Sequence, residues 1–159
     1  SFYGCAELTD ITLPAGVESI GRDAFNGCTK LADVALPANL TEIGDYAFYN
    51  CDGLTSVTIP GGVAAIGVSA FEDCDGLTSA TISEGVESIG YGAFHKCDGM
   101  TTFTLPASVT AIGRYAFSSC SSLESVTFAG TEEQWNDVSK DGYYWAYNSN
   151  VTVTCTENA

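Results

Sequence analysis

The sequence predicts an α/β repeat fold: a right-handed solenoid with short parallel strands on one face, short strands and helical turns on the other, and a C-terminal cap. Six of the seven cysteines recur at a strict interval of 23 residues, and the apolar residues around them repeat in the same register. Self-similarity at a period of roughly 20–50 residues is typical of solenoids, in which each unit stacks on its neighbours. The periodic cysteines are Cys5, Cys28, Cys51, Cys74, Cys97 and Cys120.

The first element of each unit is a short strand with the pattern Leu-x-x-Ile-x-Leu. In one unit its spaced apolar residues are Leu54, Val57 and Ile59, which point inward, while the residues flanking the central one face outward. One such strand per unit predicts a parallel sheet. Proline follows the strand in four units and ends the pairing there, because it has no amide hydrogen to donate. These prolines are Pro14, Pro37, Pro60 and Pro106.

The return half of each unit carries a second pair of apolar residues, then a glycine, then an Ala-Phe step. In one unit these residues are Val63, Ile66, Gly67, Ala70 and Phe71. The glycine predicts either a positive φ or a close approach of two backbones. The Ala-Phe step predicts a short helical turn whose ring fills the interior of the coil. We expect stability to come from the stack of coils and not from any single coil.

The repeated unit resembles one known family. A representative copy, residues 54–76, reads LTSVTIPGGVAAIGVSAFEDCDG and is similar to the 23-residue BspA-like leucine-rich repeat. The resemblance covers residues 1–129, which are predicted to form the leucine-rich-repeat solenoid, with residues 130–159 as the C-terminal capping segment. It implies a bacterial cell-surface or secreted protein of the adhesion type. Some members of that family bind host matrix proteins such as fibronectin and fibrinogen, and those ligands belong to the particular members.

The chain opens in the middle of a unit, because residues 1–5 align with residues 24–28. The sequence therefore predicts a fragment of a longer protein, with more repeats and an export signal upstream. A first coil without a cap exposes apolar surface, so the chain is expected to be capable of end-to-end self-association. The expected location is extracellular or on the bacterial cell surface.

The charge balance is strongly acidic, with 20 acidic against 5 basic residues and a net charge of -15. Such a surface repels the phosphates of nucleic acids and of anionic lipids. The sequence also lacks an apolar run of the ~20 residues that a membrane span needs. We therefore predict no nucleic-acid partner and no membrane span in this chain.

The periodic cysteines have two main interpretations. Secreted chains favour disulfides, but equivalent residues of stacked coils lie ~4.8 Å apart with parallel side chains, whereas a disulfide needs Cβ atoms ~3.8 Å apart in a crossed geometry. The spacing thus favours buried free thiols that pack as small side chains. Zinc is disfavoured, since the chain lacks Cys-x-x-Cys pairs. Cys155 lies outside the ladder and is expected to be a lone, partly accessible thiol.

Catalysis has little support in the sequence. A catalytic group needs a partner at defined geometry, and the single histidine, His95, lies two residues before Cys97. His95 occupies a surface position that holds Tyr49 or Glu72 in other units, and the thiol of Cys97 is expected to be buried. We predict no enzymatic activity, no catalytic residue and no cofactor.

The outward positions of the first strands form two columns of small, mostly hydroxylic side chains. Such columns either bond to one another along the ladder or present a flat, polar platform to a protein or glycan. They lack the Trp, Tyr and Arg residues of typical binding hot spots. The candidate ligand-binding residues on this face are Asp10, Thr12, Asp33, Ser56, Thr58, Ser79, Thr81, Thr102, Thr104, Ser125 and Thr127.

An acidic edge is a second candidate, because an Asp-Gly pair follows three successive cysteines. Stacked carboxylates can collect calcium at millimolar levels. The alternative is turn chemistry, in which Asp bonds a nearby backbone amide and Gly takes a left-handed conformation. We favour the turn, because the pair is absent from the flanking units, and we predict no metal site. The pairs are Asp52-Gly53, Asp75-Gly76 and Asp98-Gly99.

Residues 130–159 break the period. Thr131-Glu132-Glu133-Gln134 has the spacing of a capping box, which predicts a short helix that carries Trp135 and Val138 and closes the core. An aromatic cluster follows, and then a strand near residues 151–154. The aromatic side chains either bury the last coil or form a stacking platform for a sugar. The residues of this alternative glycan site are Tyr143, Tyr144, Trp145 and Tyr147.

The sequence therefore predicts a non-enzymatic binding module, at the cell surface or secreted, that adheres to a host or neighbouring-cell protein through the solenoid surface. The expected partner is a protein, such as a host extracellular-matrix protein, or a surface glycan. Two alternatives remain open. One is a scaffold or spacer that displays another domain of a longer protein, and the other is a glycan-binding module that uses the C-terminal aromatic cluster.

Overall fold

The computed structural model describes residues 1–147 and 151–157 and has one strand of each coil on a front face. The strand Ser56–Ile59 alternates exposed and buried side chains, because successive strand residues point to opposite faces. The front strands are β1 (Asp10–Thr12), β3 (Asp33–Ala35), β5 (Ser56–Ile59), β7 (Ser79–Ile82), β9 (Thr102–Leu105), β11 (Ser125–Phe128) and β13 (Thr152–Cys155).

The back face carries shorter strands of two residues each, which form one continuous parallel sheet of six strands. In each described coil up to β10 the second residue of the pair is the buried isoleucine of the return half, and the first points outward. The back strands are β2 (Ser19–Ile20), β4 (Glu42–Ile43), β6 (Ala65–Ile66), β8 (Ser88–Ile89), β10 (Ala111–Ile112) and β12 (Ser139–Lys140).

Residues one period apart pair directly in both sheets. Ser56 lies opposite Ser79, and Thr81 lies opposite Thr104, so the columns predicted from the period are real columns. The front face is divided into a two-stranded sheet of β1 and β3 and a five-stranded sheet from β5 to β13. The predicted fold class is confirmed as a parallel-strand solenoid of about six turns with little helix.

Proline limits the front ladder as expected. Where Ser83 replaces proline, its amide donates to the carbonyl of Ile59 in the preceding coil at 3.0 Å. Ala129 makes the equivalent bond to Leu105 at 2.8 Å. Proline cannot donate this bond, so the bond between coils is lost at Pro60 and Pro106, although β5 and β9 end at the same position as β7 and β11.

A third face, here called the turn face, lies between each back strand and the next front strand. The amides of Ser69, Phe71 and Asp73 donate to Tyr91, Ala93 and His95 of the next coil at 2.8–2.9 Å. Every second backbone amide of this segment therefore donates a hydrogen bond to the next coil. The predicted helical turn is wrong for this segment, because Ser69 and Asp73 take φ values of 51° and 58°, which break a helix into separate turns.

From the second coil onward, the glycine after the back-strand isoleucine is required by close backbone approach, whereas Gly21 in the first coil has open space around it. A Cβ on Gly67 would lie 2.6 Å from the carbonyl carbon of Gly44 in the preceding coil, and Gly90 and Gly113 are equally confined. Positive φ, the other expected reason, does not apply to these positions. Positive φ values occur instead two residues after the glycine, for example at Tyr46 and Ser69.

The core is one continuous cluster with a stack of phenylalanine rings along its length. Successive rings lie 5.1–5.5 Å apart and within 7° of parallel. The ring of Phe103 packs edge-on against Phe94 and Phe117. The stack therefore links every coil to the next through the Ala-Phe step. Its members are Phe2, Phe25, Phe48, Phe71, Phe94 and Phe117.

The C-terminal residues extend both sheets. Helix α1 (Glu132–Asp137) begins with the predicted capping box, in which Thr131 and Gln134 exchange side-chain and backbone hydrogen bonds. The ammonium group of Lys140 donates to the carbonyls of Trp135 and Val138 at the end of this helix. A 3₁₀ helix (Gly142–Ala146) follows, and β12 and β13 pair with β10 and β11.

Candidate binding surfaces

The structure places all eleven predicted front-face residues on the outer side of the front sheet. Nine of them are exposed, while Ser125 and Thr127 are half-buried. Strand β13 continues both columns, because Thr152 lies opposite Ser125 and Thr154 lies opposite Thr127. Sequence reasoning found this last strand but did not add its threonines to the columns, since the inserted helix breaks the 23-residue period.

The hydroxyl groups of these two columns do not bond to one another. Among the described residues, none of their Ser and Thr side chains makes a hydrogen bond to another protein group. In the neighbouring column, by contrast, the hydroxyls do bond within the protein. Those of Thr55 and Thr78 donate to the backbone carbonyls of Ala32 and Thr55 one coil earlier. The front-face hydroxyls are thus available to solvent or to a ligand.

The division of the front sheet leaves a polar groove of about 270 Å³ between β3 and β5. It is lined by Asp33 and Ala35 on one side and by Ser56 and Thr58 on the other. The amide of Thr55 still donates to the carbonyl of Ala32 at 3.3 Å, just before the strands diverge. Three of the predicted front-face residues therefore border one groove.

The turn face carries a row of tyrosines, of which the sequence analysis had singled out Tyr144 alone. Tyr46 packs edge-on against Tyr49 at 6.0 Å, and farther along Tyr115 contacts both Tyr91 and Tyr144 at 5.6–5.8 Å. These residues occupy positions that vary between units, so the repeat pattern gives no reason for them. The sequence contained one indication of this row, because the tyrosines occupy outward positions of the turns together with Arg22 and Arg114.

Two guanidinium groups cover these rings. Arg22 lies 5.2 Å from the ring centre of Tyr46, and Arg114 lies 4.8 Å and 4.5 Å from those of Tyr115 and Tyr144. A cation over a ring face is attracted by the ring quadrupole. Tyrosine and arginine are also the residues enriched at energetically important binding positions. The turn face therefore has the composition of a binding surface that the front face lacks.

A shallow groove of about 460 Å³, here called the turn-face groove, opens across four successive turns of this face. The side chain of Asn26 donates to Asp23 at 2.7 Å, and the hydroxyl of Tyr49 donates to Asp73 at 2.9 Å. The bond to Asp73 and partial burial raise the pKa of Tyr49 to about 12. The groove is lined, among others, by Arg22, Asp23, Tyr46, Tyr49, Glu72 and Tyr91.

The C-terminal aromatic residues divide between core and surface. Trp145 packs edge-on against Phe117 at 6.2 Å and thereby ends the phenylalanine stack. Tyr144 and Tyr147 are exposed, with ring centres 5.8 Å apart. The side chain of Tyr143 lies outside the described part of the structure. The exposed portion of the predicted glycan site is thus the pair Tyr144 and Tyr147.

The periodic cysteines are free thiols, as predicted. Each of the five buried ones donates to a phenylalanine carbonyl of the preceding coil, for example Cys74 to Phe48 at 3.1 Å. Burial raises the pKa of Cys51 to about 12. The ring of His95 bonds the carbonyl of Ser118 at 2.9 Å, and Cys97 donates to Phe71, so these two side chains do not pair as a catalytic dyad.

The Asp-Gly pairs of the acidic edge lie in turns, as predicted: the amides of Leu54, Leu77 and Met100 donate to the carbonyls of Cys51, Cys74 and Cys97 at 3.0–3.1 Å. The left-handed conformation predicted for their glycines is wrong. None of the three glycines has a positive φ; a Cβ on Gly76 would lie 2.2 Å from the carbonyl oxygen of Asp52, so close approach excludes a side chain. Asp98 accepts from the amide of Ser121 in the next coil. Burial and the neighbouring carboxylates raise the pKa of Asp52 and Asp75. Within residues 1–147 and 151–157, no group of three or more His, Cys, Asp or Glu side chains is arranged to hold a metal ion.

A model of the BspA type leucine rich repeat region matches residues 1–137 in six copies. This chain belongs to that family. The described residues of this BspA-type protein include no helix with the length and hydropathy of a membrane span. No curated protein matches the chain.

Solved structures of bacterial leucine-rich repeat proteins share the fold. A leucine rich cell surface protein from Faecalibacterium prausnitzii is 34% identical, with a TM-score of 0.80 over 84% of this chain and 35% of its own. The T. pallidum leucine rich repeat protein is 25% identical, with a TM-score of 0.72 over 92% of this chain and 73% of its own. The pneumococcal vaccine antigen PcpA is 21% identical, with a TM-score of 0.69 over 92% of this chain and 36% of its own. The BspA-type chain thus spans about a third of the length of the F. prausnitzii protein.

Proposed function

We propose that this chain is a non-enzymatic binding module of a bacterial cell-surface or secreted protein, and that its front face binds a protein of a host or neighbouring cell. The observation that carries this proposal is the pair of columns of exposed hydroxyl groups, free of internal hydrogen bonds, on a rigid parallel sheet. Seven strands spaced ~4.8 Å apart give a face roughly 30 Å wide. That width suits a protein footprint of the usual size, about 800 Å² per partner.

The family and the neighbouring structures support the same proposal. Its relative from F. prausnitzii is described as a cell surface protein, and PcpA is described as a vaccine antigen. Both descriptions fit proteins that meet the outside of the cell. The right-handed winding and the closing role of residues 130–159 are parts of the proposed architecture, the former because parallel strands joined by crossovers strongly favour that hand.

The test is a binding titration against immobilised extracellular-matrix proteins, including fibronectin and fibrinogen, with and without calcium. The front-face variant carries Thr81→Lys and Thr104→Lys, and the matched control carries Ala65→Lys and Ser88→Lys on paired outward positions of the back sheet. We expect the front-face variant to lose at least tenfold in affinity. Both variants should keep the melting temperature within about 2 °C, because exposed substitutions change stability little.

Equal loss in both variants, or no loss in either, would contradict the proposed face. Saturable binding to none of the immobilised proteins would favour the second candidate function, a scaffold or spacer that displays another part of a longer protein. The observation that favours this candidate is the small size of the front-face side chains, which lack the Trp, Tyr and Arg residues of binding hot spots.

The third candidate is a glycan site at the C-terminal aromatic cluster. It rests on the exposed pair Tyr144 and Tyr147, with Arg114 over the ring of Tyr144. Because Trp145 lies beside this pair and also contacts Trp135, a bound sugar is expected to change tryptophan fluorescence. An unchanged spectrum during sugar titration would remove this candidate.

A further inference from the structure

The turn-face groove is not required by the repeat. Its outward side chains occupy positions that differ from unit to unit, whereas the core beneath it repeats. Its volume of about 460 Å³ lies within the range of roughly 300–1,000 Å³ that is usual for small-ligand sites. A site of this size holds a few linked rings and not a folded protein.

The lining of the groove combines aromatic rings with planar polar groups. Among the described residues, no aliphatic side chain lines it, so its apolar surface comes chiefly from the rings of Tyr46, Tyr49 and Tyr91. The polar groups include the guanidinium of Arg22 and the carboxylate of Glu72. A pyranose ring has one face of C–H bonds, which suits the negative face of an aromatic ring, and a rim of hydroxyls, which suits planar donors and acceptors. A peptide, in contrast, would bring aliphatic side chains for which the groove has no matching pocket.

Several groups of the groove are held in place before any ligand binds. The guanidinium of Arg22 lies 3.4 Å from the carboxylate of Asp23 and 3.9 Å from that of Asp45. Tyr49 is fixed by its hydrogen bond to Asp73. Side chains that are already ordered lose less conformational entropy on binding, which favours affinity for a small ligand.

Charge restricts the ligand to a neutral one. Among the described residues that line it, the groove has the carboxylates of Asp23 and Glu72 and a single cation, Arg22, which already pairs with Asp23. The chain as a whole has a net charge of -15. Sulfated or sialylated sugars would therefore be repelled.

We propose that the turn-face groove binds a neutral oligosaccharide, with a sugar ring against Tyr46 and Tyr49 and its hydroxyls bonded by Arg22 and Glu72. This site lies on a different face from the proposed protein-binding surface, and it does not depend on that proposal. It also differs from the C-terminal aromatic cluster, because its rings are those of Tyr46, Tyr49 and Tyr91.

The test uses the whole chain on an array of neutral gluco-, galacto-, manno- and N-acetylhexosamine oligosaccharides, with sialylated and sulfated sugars beside them. The best neutral sugar is then titrated by calorimetry. We expect saturable binding that Tyr46→Ala and Glu72→Gln each weaken at least tenfold. Glu72→Gln keeps the size of the side chain, so it separates loss of binding from loss of fold. The matched control Ala65→Lys, at an exposed position of the back sheet, should bind normally, and Tyr144→Ala distinguishes the groove from the C-terminal aromatic cluster.

Four outcomes would overturn the proposal. These are the absence of binding to any neutral sugar, binding to acidic sugars alone, binding that survives both groove substitutions, and binding that is lost with Tyr144→Ala but kept with Tyr46→Ala. Capture of a peptide from a random peptide library by the groove, abolished by Tyr46→Ala, with no sugar bound, would likewise replace the glycan by a peptide. These results can be interpreted even if the chain binds no matrix protein, because the two sites lie on different faces.

Discussion

A cysteine side chain at the same point of each coil fills a small buried volume and satisfies a carbonyl of the preceding coil. The Sγ atoms of Cys28 and Cys120 lie 3.2 Å and 3.1 Å from the carbonyl oxygens of Phe2 and Phe94. Burial is the main cause that raises the pKa of these thiols, to about 12 for Cys120. Because the thiolate is the reactive form, the buried thiols are chemically inert at neutral pH.

Native alkylation should therefore separate the seven thiols into two classes. With iodoacetamide at pH 8 we expect modification of Cys5, which is exposed, and Cys155, which is half-buried, and of the five buried cysteines only after unfolding. At pH 9 Cys51 should remain unreactive, because burial raises its pKa to about 12. Peptide mass mapping gives the site of each label. Native modification of Cys74 would contradict the buried ladder.

Successive coils pack closely where a glycine follows the back strand. At Gly67 an added Cβ would lie 2.6 Å from backbone of the preceding coil, which cannot move aside, whereas at Gly21 nothing lies within 4 Å. We expect Gly67→Ala to lower the free energy of unfolding by about 2 kcal/mol or more, as overpacking does. The matched control Gly21→Ala should change it by less than about 1 kcal/mol. Urea unfolding followed by circular dichroism measures both, and equal effects would refute the close-approach explanation.

The elements defined by repeated apolar residues, and the capping box, were predictable from the sequence, whereas the backbone conformation of the turns and the surface that stacking creates were missed. The front strands and the phenylalanine stack follow from apolar residues at fixed positions, and the capping box at Thr131 follows from local side-chain chemistry. The positive φ values were assigned to glycines, but the structure gives many of them to residues such as Asp73 and Lys96, which no local pattern marks. The turn-face groove was missed because it needs side chains from four coils, whose contact depends on the stacking.

The whole molecule is a stack of coils, and one column of its front face is acidic in the first two coils. Asp10 and Asp33 begin that column, and serine or threonine occupies the next five positions. In the first coil, Leu8 and Ile11 are only partly buried, while the equivalent Leu54 and Val57 are buried. The edges of β1 and β2 each have one bonded neighbour. An edge of this kind is a template for pairing with another chain unless charge opposes it.

Self-association through the first coil is therefore expected to depend on salt. At low ionic strength the net charge of -15 and the carboxylates of Asp10 and Asp33 keep chains apart. At about 1 M salt the screening length falls to about 3 Å, so the exposed edge and Phe2, which is 40% exposed, become free to pair. Sedimentation velocity should show a monomer at low salt and concentration-dependent growth at high salt, with Asp10→Asn and Asp33→Asn shifting the onset to lower salt. A monomer at every salt concentration would contradict this expectation and would mean that the first coil protects its edge by something other than charge.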